Sequence, residues 1–339
     1  MPDLRELFRS LPCPPASPPE APVLAAVPVP ENPSFRLARN AAHHPLVLLE
    51  SVGAPPAMPP LALEHVRIEH ARPCRVQLPG GSLHSGIFTI FACTSGEVVL
   101  QEHFLMVAGA LIATMPKEPH SGMVAQAVET MAELFRALEA PARSSVQGLW
   151  SELFLIAESR RPADLARAWR VSLDDRFDFS TSAVRIEVKS TRGVDRVHYF
   201  SLEQLRPPAG AHGIVASIRV EHAGGGVSID ELLDEIRVAL SDQPDLLLRV
   251  ETIVATTLGS TFRVAIVERF DREAARESLA YFRVEDVPSV REPLPHTVSD
   301  VHFRSDLSSV APAMPRAITR YGGDELLECL PAPGALTRP

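Results

Sequence analysis

Apolar positions in the first hundred residues alternate with polar ones in short runs, and the period then lengthens. SFRLA (34–38), PLVLLES (45–51), HVRIEHA (65–71), CRVQL (74–78) and GIFTIFA (86–92) are β-branched or aromatic segments separated by turn signals such as LPGGS, the pattern of strands. Two stretches at helical spacing follow, Val98–Thr114 and 123–139. The second places Met123, Ala127, Met131, Leu134, Phe135 and Leu138 on one stripe. Ahead of the strands, residues 1–33 hold ten prolines, which predicts a short helix over 4–11 and then an extended wrapping segment. Residues 1–143 therefore read as a β-rich α+β domain, and no catalytic constellation stands out in them.

A different order begins at residue 144. SVQGLWSELFLIAES (145–159) is a helix, and RPADLARAW (161–169) adds a turn or two. RFDFS (176–180) and VRIEVKS (184–190) are strands joined by a turn around 180–182, and RVHYF (196–200) is a third strand. SLEQL (201–205) starts a helix that Pro207 and Pro208 stop. GIVASIRVEH (213–222) is a fourth strand. A loop over 223–226 leads into SIDELLDEIRVAL (228–240), where Ser228 followed by Glu231 makes a capping box. This order predicts an α/β core with a mixed central sheet flanked by helices over 144–245. An α+β extension over 246–339 follows, with an amphipathic helix, strands in FRVAIVERF (262–270), YFRVEDV (281–287) and VSDVHFRSDL (298–307), and a Pro/Gly/Arg tail.

Chemistry enters with one constellation. Glu187 and Lys189 lie at i and i+2 on a strand, so both side chains leave the same face. Asp178 sits nine positions before Glu187, near the end of the preceding strand, and a hairpin of that length returns the chain so that the two acids meet. Two carboxylates and the Val188 carbonyl are hard oxygen ligands suited to Mg²⁺, with Mn²⁺ as its substitute. Such an ion stabilises a pentacovalent phosphate and activates water, with Lys189 orienting and helping to deprotonate that water. Glu152, on the preceding helix, completes the first shell of ligands or holds a water. Arg176, Arg192 and Arg196 flank the site and suit phosphate contacts on DNA. Asp175 is a fallback ligand, and Asp174 and Asp175 otherwise suit a turn.

Composition sharpens one residue. The chain has 33 basic side chains, and only Lys117 and Lys189 are lysine. A lysine inside a motif that requires an ammonium is therefore not background, because Lys is a compact charge and Arg a planar fork. The net charge of −9 does not by itself recommend nucleic acid. Residues 143–206 carry eleven basic against nine acidic side chains, a local +2 that leaves −11 elsewhere. Cys13, Cys74, Cys93 and Cys329 have no CxxC spacing, which speaks against zinc and a disulfide framework. No run of 18 apolar residues and no N-terminal apolar signal region occurs, so the expectation is a cytoplasmic protein with no membrane partner. His198 alternates with Tyr199 on a strand and reads as structural. The glycines of 224–226 lack the GxxxxGK[ST] spacing of a phosphate loop.

Taken in order, helical Glu152, Asp178, Glu187-Val-Lys189 and Gln204 resemble the PD-(D/E)XK nuclease superfamily. More narrowly, GLWSEL (148–153), RFDF (176–179), EVKST (187–191) and SLEQL (201–205) resemble a prokaryotic PD-(D/E)XK family found in restriction-like and phage-defence gene clusters. Phe177 stands where the superfamily's name has proline. The resemblance implies a restriction-endonuclease-like core and metal-dependent phosphodiester hydrolysis, with Gln204 supporting the site or touching phosphate. The expected function is a Mg²⁺-dependent endodeoxyribonuclease of antiviral defence, acting on DNA with other defence-operon proteins or as a homodimer. Two readings stay open: a catalytically silent DNA-binding or scaffold subunit of a defence complex, and an RNA-directed nuclease of the same fold.

Overall fold

The computed structural model describes residues 3–14, 23–50, 59–171, 176–290, 293–314 and 325–334. The chain is a mixed α+β protein that divides into two compact units, residues 1–143 with 241–263 and residues 144–240 with 264–339.

The first unit opens with α1 (Leu4–Ser10), capped by the Asp3 carboxylate on the Arg5 and Glu6 amides. A sheet of β1 (Val23–Val29), β2 (Asn32–Arg39), β3 (Pro45–Glu50), β4 (Leu61–Ala62), β5 (Val66–Gln77) and β6 (Leu83–Cys93) follows in the order β1-β2-β3-β6-β5-β4. Parallel pairing of β1 with β5, Leu24 beside Val76, closes five of these strands into a barrel. Closure removes the exposed edges of those strands, and the barrel core is Leu24, Ala26, Ala38, Leu46, Leu48, Val76, Phe88 and Ile90. The closing strand β1 differs from the expected wrapping segment, since its apolar residues complete the barrel despite Pro28. The separate runs 65–71 and 74–78 form one long strand, β5, with a register shift between Glu69 and Arg72. The helices α2 (Val98–Thr114) and α3 (Ser121–Ala137) come where the helical spacing predicts them. Burial of α2 over its whole circumference from His103 to Ile112 is why it is apolar all round.

The second unit carries α4 (Val146–Ala157), α5 (Pro162–Ala168), β7 (Phe179–Ser180), β8 (Val184–Thr191), β9 (Val197–Ser201), a single 3₁₀ turn Leu202–Leu205, β10 (His212–Arg219), β11 (His222–Ser228) and α6 (Ile229–Ala239). The chain then supplies α7 (Pro244–Leu258) to the first unit. After α8 (Phe262–Ala265), the elements β12 (Arg269–Phe270), α9 (Arg272–Ser278), β13 (Ala280–Arg283), β14 (His302–Asp306) and a last helix Glu325–Cys329 complete the described chain. None of the described helices is long and apolar enough to cross a membrane.

The central sheet of this unit is mixed, β13-β10-β8-β7, with β8 parallel to β10 (Ile186 beside Ile214) and the outer pairs antiparallel. β10 is buried from Gly213 to Ile218, as a strand covered on both faces must be. Trp150, fully buried on α4, donates its indole N–H to the Val227 carbonyl of β11 at 2.9 Å and stacks on Phe154. The helix that bears Glu152 is thereby fixed to the β11 strand. Ser228 and Glu231 form the expected capping box on α6.

Several elements of this unit differ from the sequence expectation. β9 pairs with β14 in its own two-stranded sheet, because its partner arrives a hundred residues later and local pattern cannot show it. The expected loop 223–226 lies inside β11, where a side chain on Gly226 would collide with the Phe270 carbonyl of β12. FRVAIVERF is a helical turn followed by the two-residue strand β12, since its apolar residues Phe262, Ala265 and Ile266 are buried at helical spacing.

Candidate functional site

The geometry of the β7–β8 hairpin sets the site. Phe179 pairs with Ile186, so Asp178, one residue before β7, stands opposite Glu187 and on the same face. It sits at the start of this strand and not near its end. The even-numbered residues of β8 turn their peptide groups toward β7, as the Thr181 amide on the Val184 carbonyl shows, and the odd-numbered ones turn toward β10, as His212 on Ala183 shows. Because β7 has only two residues, the Val188 amide has no strand partner on that side, and Asp178 Oδ2 accepts its N–H at 2.7 Å. The Val188 carbonyl faces the same edge.

On the site face, Lys189 Nζ lies 2.8 Å from Glu187 Oε1 and donates to Gln204 Oε1 at 3.0 Å. Gln204 Nε2 in turn donates to Glu187 Oε1 at 2.5 Å. The glutamine is held by a second capping box, in which its Oε1 accepts the Ser201 amide and the Ser201 hydroxyl accepts the Gln204 amide. Its Oε1 thus serves both the cap and Lys189, which turns the amide so that its NH₂ meets Glu187. Lys189 also packs 5.1 Å over the Phe200 ring.

Glu152 is buried on α4 and fully engaged. Arg170 grips it with two prongs, Nε to Oε2 at 2.9 Å and Nη2 to Oε1 at 2.7 Å, and the Trp169 indole donates to Oε2 at 2.6 Å. Trp169 bridges to Phe179, and the Arg170 amide donates to the Asp178 carbonyl at 2.7 Å. Arg170 takes φ +38°, a left-handed conformation that costs a branched or long side chain energy. Sequence reading missed Trp169 and Arg170. Their roles come from a corner after α5 and a contact across 18 positions, and nothing in spacing or composition signals either.

Burial raises all three acids, and the Asp178 charge raises the other two. Burial, and then the Asp178 charge, push Glu152 up to about 7 against the pull of Arg170. Burial and Asp178 likewise hold Glu187 well above the usual carboxylate range in spite of Lys189. Burial raises Asp178 too, opposed by the Val188 amide, Arg170 and Lys189.

The flanking residues divide. Arg176 is exposed. Arg192 is exposed and touches Gln147 at 2.9 Å and His222 at 3.1 Å. Arg196 turns inward, donating to the Ser217 carbonyl and hydroxyl and to the Ser278 carbonyl, which leaves it fastening β9 to β10. Ser190 and Thr191 are half-buried. Asp174 and Asp175 lie outside the described residues. His198 is buried against the Ser217 hydroxyl at 2.8 Å, and burial followed by Lys189 and Arg196 lowers it to about 4.

A histidine depressed in the folded state loses stability as pH falls, because the unfolded chain takes its proton first. Between its ordinary pKa of 6.5 and about 4, the parent protein is expected to lose up to about 3 kcal/mol relative to His198→Asn. Urea unfolding of both proteins at stepped pH checks this; parallel curves contradict it.

The family described as "Putative PD-(D/E)XK family member (DUF4420)" matches the chain over residues 4–308. The chain belongs to this family. No curated protein and no solved structure matches it. The PD-(D/E)XK superfamily consists mostly of nucleases, and these generally use divalent metals. In this PD-(D/E)XK chain the donor set suits such an ion. Asp178 spends Oδ2 on an amide and Glu187 spends Oε1 on Lys189 and Gln204, and Asp178 Oδ1, Glu187 Oε2 and the Val188 carbonyl are the hard oxygens that could take a cation. Among the described residues no three His, Cys, Asp or Glu side chains are arranged to hold a metal, and Glu152 is bound to Arg170. Two carboxylates are what a Mg²⁺ site commonly takes from protein.

Proposed function

We propose that the protein is a Mg²⁺-dependent DNA endonuclease of a restriction-like or antiviral defence system, built on a restriction-endonuclease-like core in the second unit, residues 144–240 with 264–339. The observation that carries this reading is the pairing of Asp178 with Glu187 across one hairpin, with Lys189 Nζ 2.8 Å from Glu187. Asp178, Glu187 and the Val188 carbonyl would hold Mg²⁺, with Mn²⁺ able to replace it. Such an ion supplies charge for the phosphate and lowers the pKa of water.

The chain's own groups do the rest. Lys189 carries the ammonium that would orient the attacking water and stabilise the hydroxide left when that water gives its proton to solvent. Gln204 fixes the rotamers of both, so that neither has to reorganise during reaction. Glu152, tied to Arg170, sets the position of α4 against the hairpin. Arg176 and Arg192, exposed beside the site, are the side chains that would track phosphates and contribute salt-dependent affinity. Arg196 has no such role, since its donors are used inside the fold. Cleavage of both strands from one site per chain would call for a homodimer, and proteins of a defence operon would be its other partners.

Supercoiled plasmid incubated with protein and Mg²⁺ or Mn²⁺ should be nicked or linearised, with EDTA abolishing the effect and RNA of matched sequence left intact. Cleavage of RNA alone would move the substrate. A silent DNA-binding or scaffold subunit is favoured by one observation, the absence of a three-acid ligand set among the described residues. Calorimetry separates the two, because a scaffold shows no Mn²⁺ binding that is lost on Asp178→Ala.

A further inference from the structure

Two internal cations neutralise the acid cluster. Lys189 serves Glu187 and belongs to the family motif, whereas Arg170 belongs to no motif and serves Glu152. We infer that Arg170 is a positioning residue that acts as a built-in counter-ion: its guanidinium holds Glu152 away from the shared oxygens of Asp178 and Glu187 and so weakens their grip on a divalent cation. This inference rests on the metal site proposed above.

Several observations converge on it. The fork on Glu152 is bidentate, at 2.7 and 2.9 Å, the geometry in which Arg holds a carboxylate most firmly. Trp169, the neighbouring residue, adds a third donor to Glu152 at 2.6 Å, so the acid has few lone pairs left for a metal. Arg170 is half-buried, and its charge also acts on Asp178 and Glu187. A cation arriving between those two acids therefore meets a fixed positive charge in surroundings where screening by solvent is weak.

The backbone separates positioning from charge. The Arg170 amide holds the Asp178 carbonyl at 2.7 Å, and any residue but proline keeps that bond at this position. The left-handed φ of +38° is a conformation that asparagine tolerates better than most side chains. Arg170→Asn therefore removes the charge and keeps the corner. A residue that only braced the fold would, when removed, loosen the acids and weaken metal binding. A counter-ion, when removed, strengthens it.

The test is Mn²⁺ titration by isothermal calorimetry on the parent, Arg170→Asn, Arg170→Gln, Arg170→Lys and Asp178→Ala proteins, with metal-free melting followed in parallel. Arg170→Asn and Arg170→Gln should bind Mn²⁺ about tenfold more tightly than the parent, while melting at a lower temperature without metal. Arg170→Lys should stay within about threefold of the parent because it keeps the charge. Unchanged or weaker affinity in a folded charge-free variant overturns the inference. If the parent binds Mn²⁺ and Asp178→Ala does not, the metal reading stands whatever Arg170 does. Should neither the parent nor the charge-free variants bind, both fail together.

Discussion

Asp178→Asn is expected to lower Mg²⁺-dependent DNA cleavage by roughly a thousandfold or more, and Lys189→Met by a similar factor, with the fold intact in both. Asparagine at 178 still offers an oxygen to the Val188 amide that now meets Asp178 Oδ2 at 2.7 Å. What it loses is the charge on the ligand oxygen. Asp178 also stands among the causes that raise Glu152 and Glu187. Neutralising it relieves that repulsion, so the metal-free variant should melt no lower than the parent. Activity lost at unchanged or raised stability is the mark of a group kept for chemistry. Lys189→Met retains packing over Phe200 and removes the ammonium. A Lys189→Met protein that cuts like the parent would remove lysine from the mechanism.

The largest effect on stability belongs to Trp150→Ala. The side chain is fully buried, stacked 5.3 Å from Phe154 and tilted 5.4 Å from Phe270. Truncating a buried tryptophan costs about 3–5 kcal/mol in lost contacts and cavity. It also strands the Val227 carbonyl that now accepts the indole N–H at 2.9 Å. For a protein whose whole stability is of order 5–15 kcal/mol, the second unit should unfold on mild heating. Trp150→Phe keeps most of the apolar contact and loses the hydrogen bond, so it should cost about 1–2 kcal/mol. Denaturant titrations of the two variants order these effects, and an alanine variant within about 1 kcal/mol of the parent would contradict the packing described for α4.

Much of the site was legible because it depends on short-range geometry. Period-two alternation puts Glu187 and Lys189 on one face wherever β8 lies, and the hairpin length brings Asp178 opposite Glu187. Gln204 entered only through the resemblance to the PD-(D/E)XK motifs, and its capping box with Ser201 is seen in the structure alone. The helices of the first unit were legible from their apolar stripes. What escaped is tertiary. The Pro-rich start hides β1, whose parallel pairing with β5 spans some fifty residues. β9 looks like a member of the central sheet until β14 arrives to pair with it. Glu152 reads as a ligand from its helix and motif alone, and only the structure shows Trp169 and Arg170 donating to its two oxygens.

That corner also explains why composition was a weak guide. A net charge of −9 describes the whole surface. The proposed site rests on three acids and two cations gathered at one hairpin.

The decisive measurement is a crystal soaked in Mn²⁺, with diffraction recorded for anomalous scattering. A single anomalous peak is expected between the carboxylates of Asp178 and Glu187, within coordinating reach of the Val188 carbonyl. Well-diffracting crystals with no peak there, or with manganese bound only elsewhere, would contradict the shared-ion account.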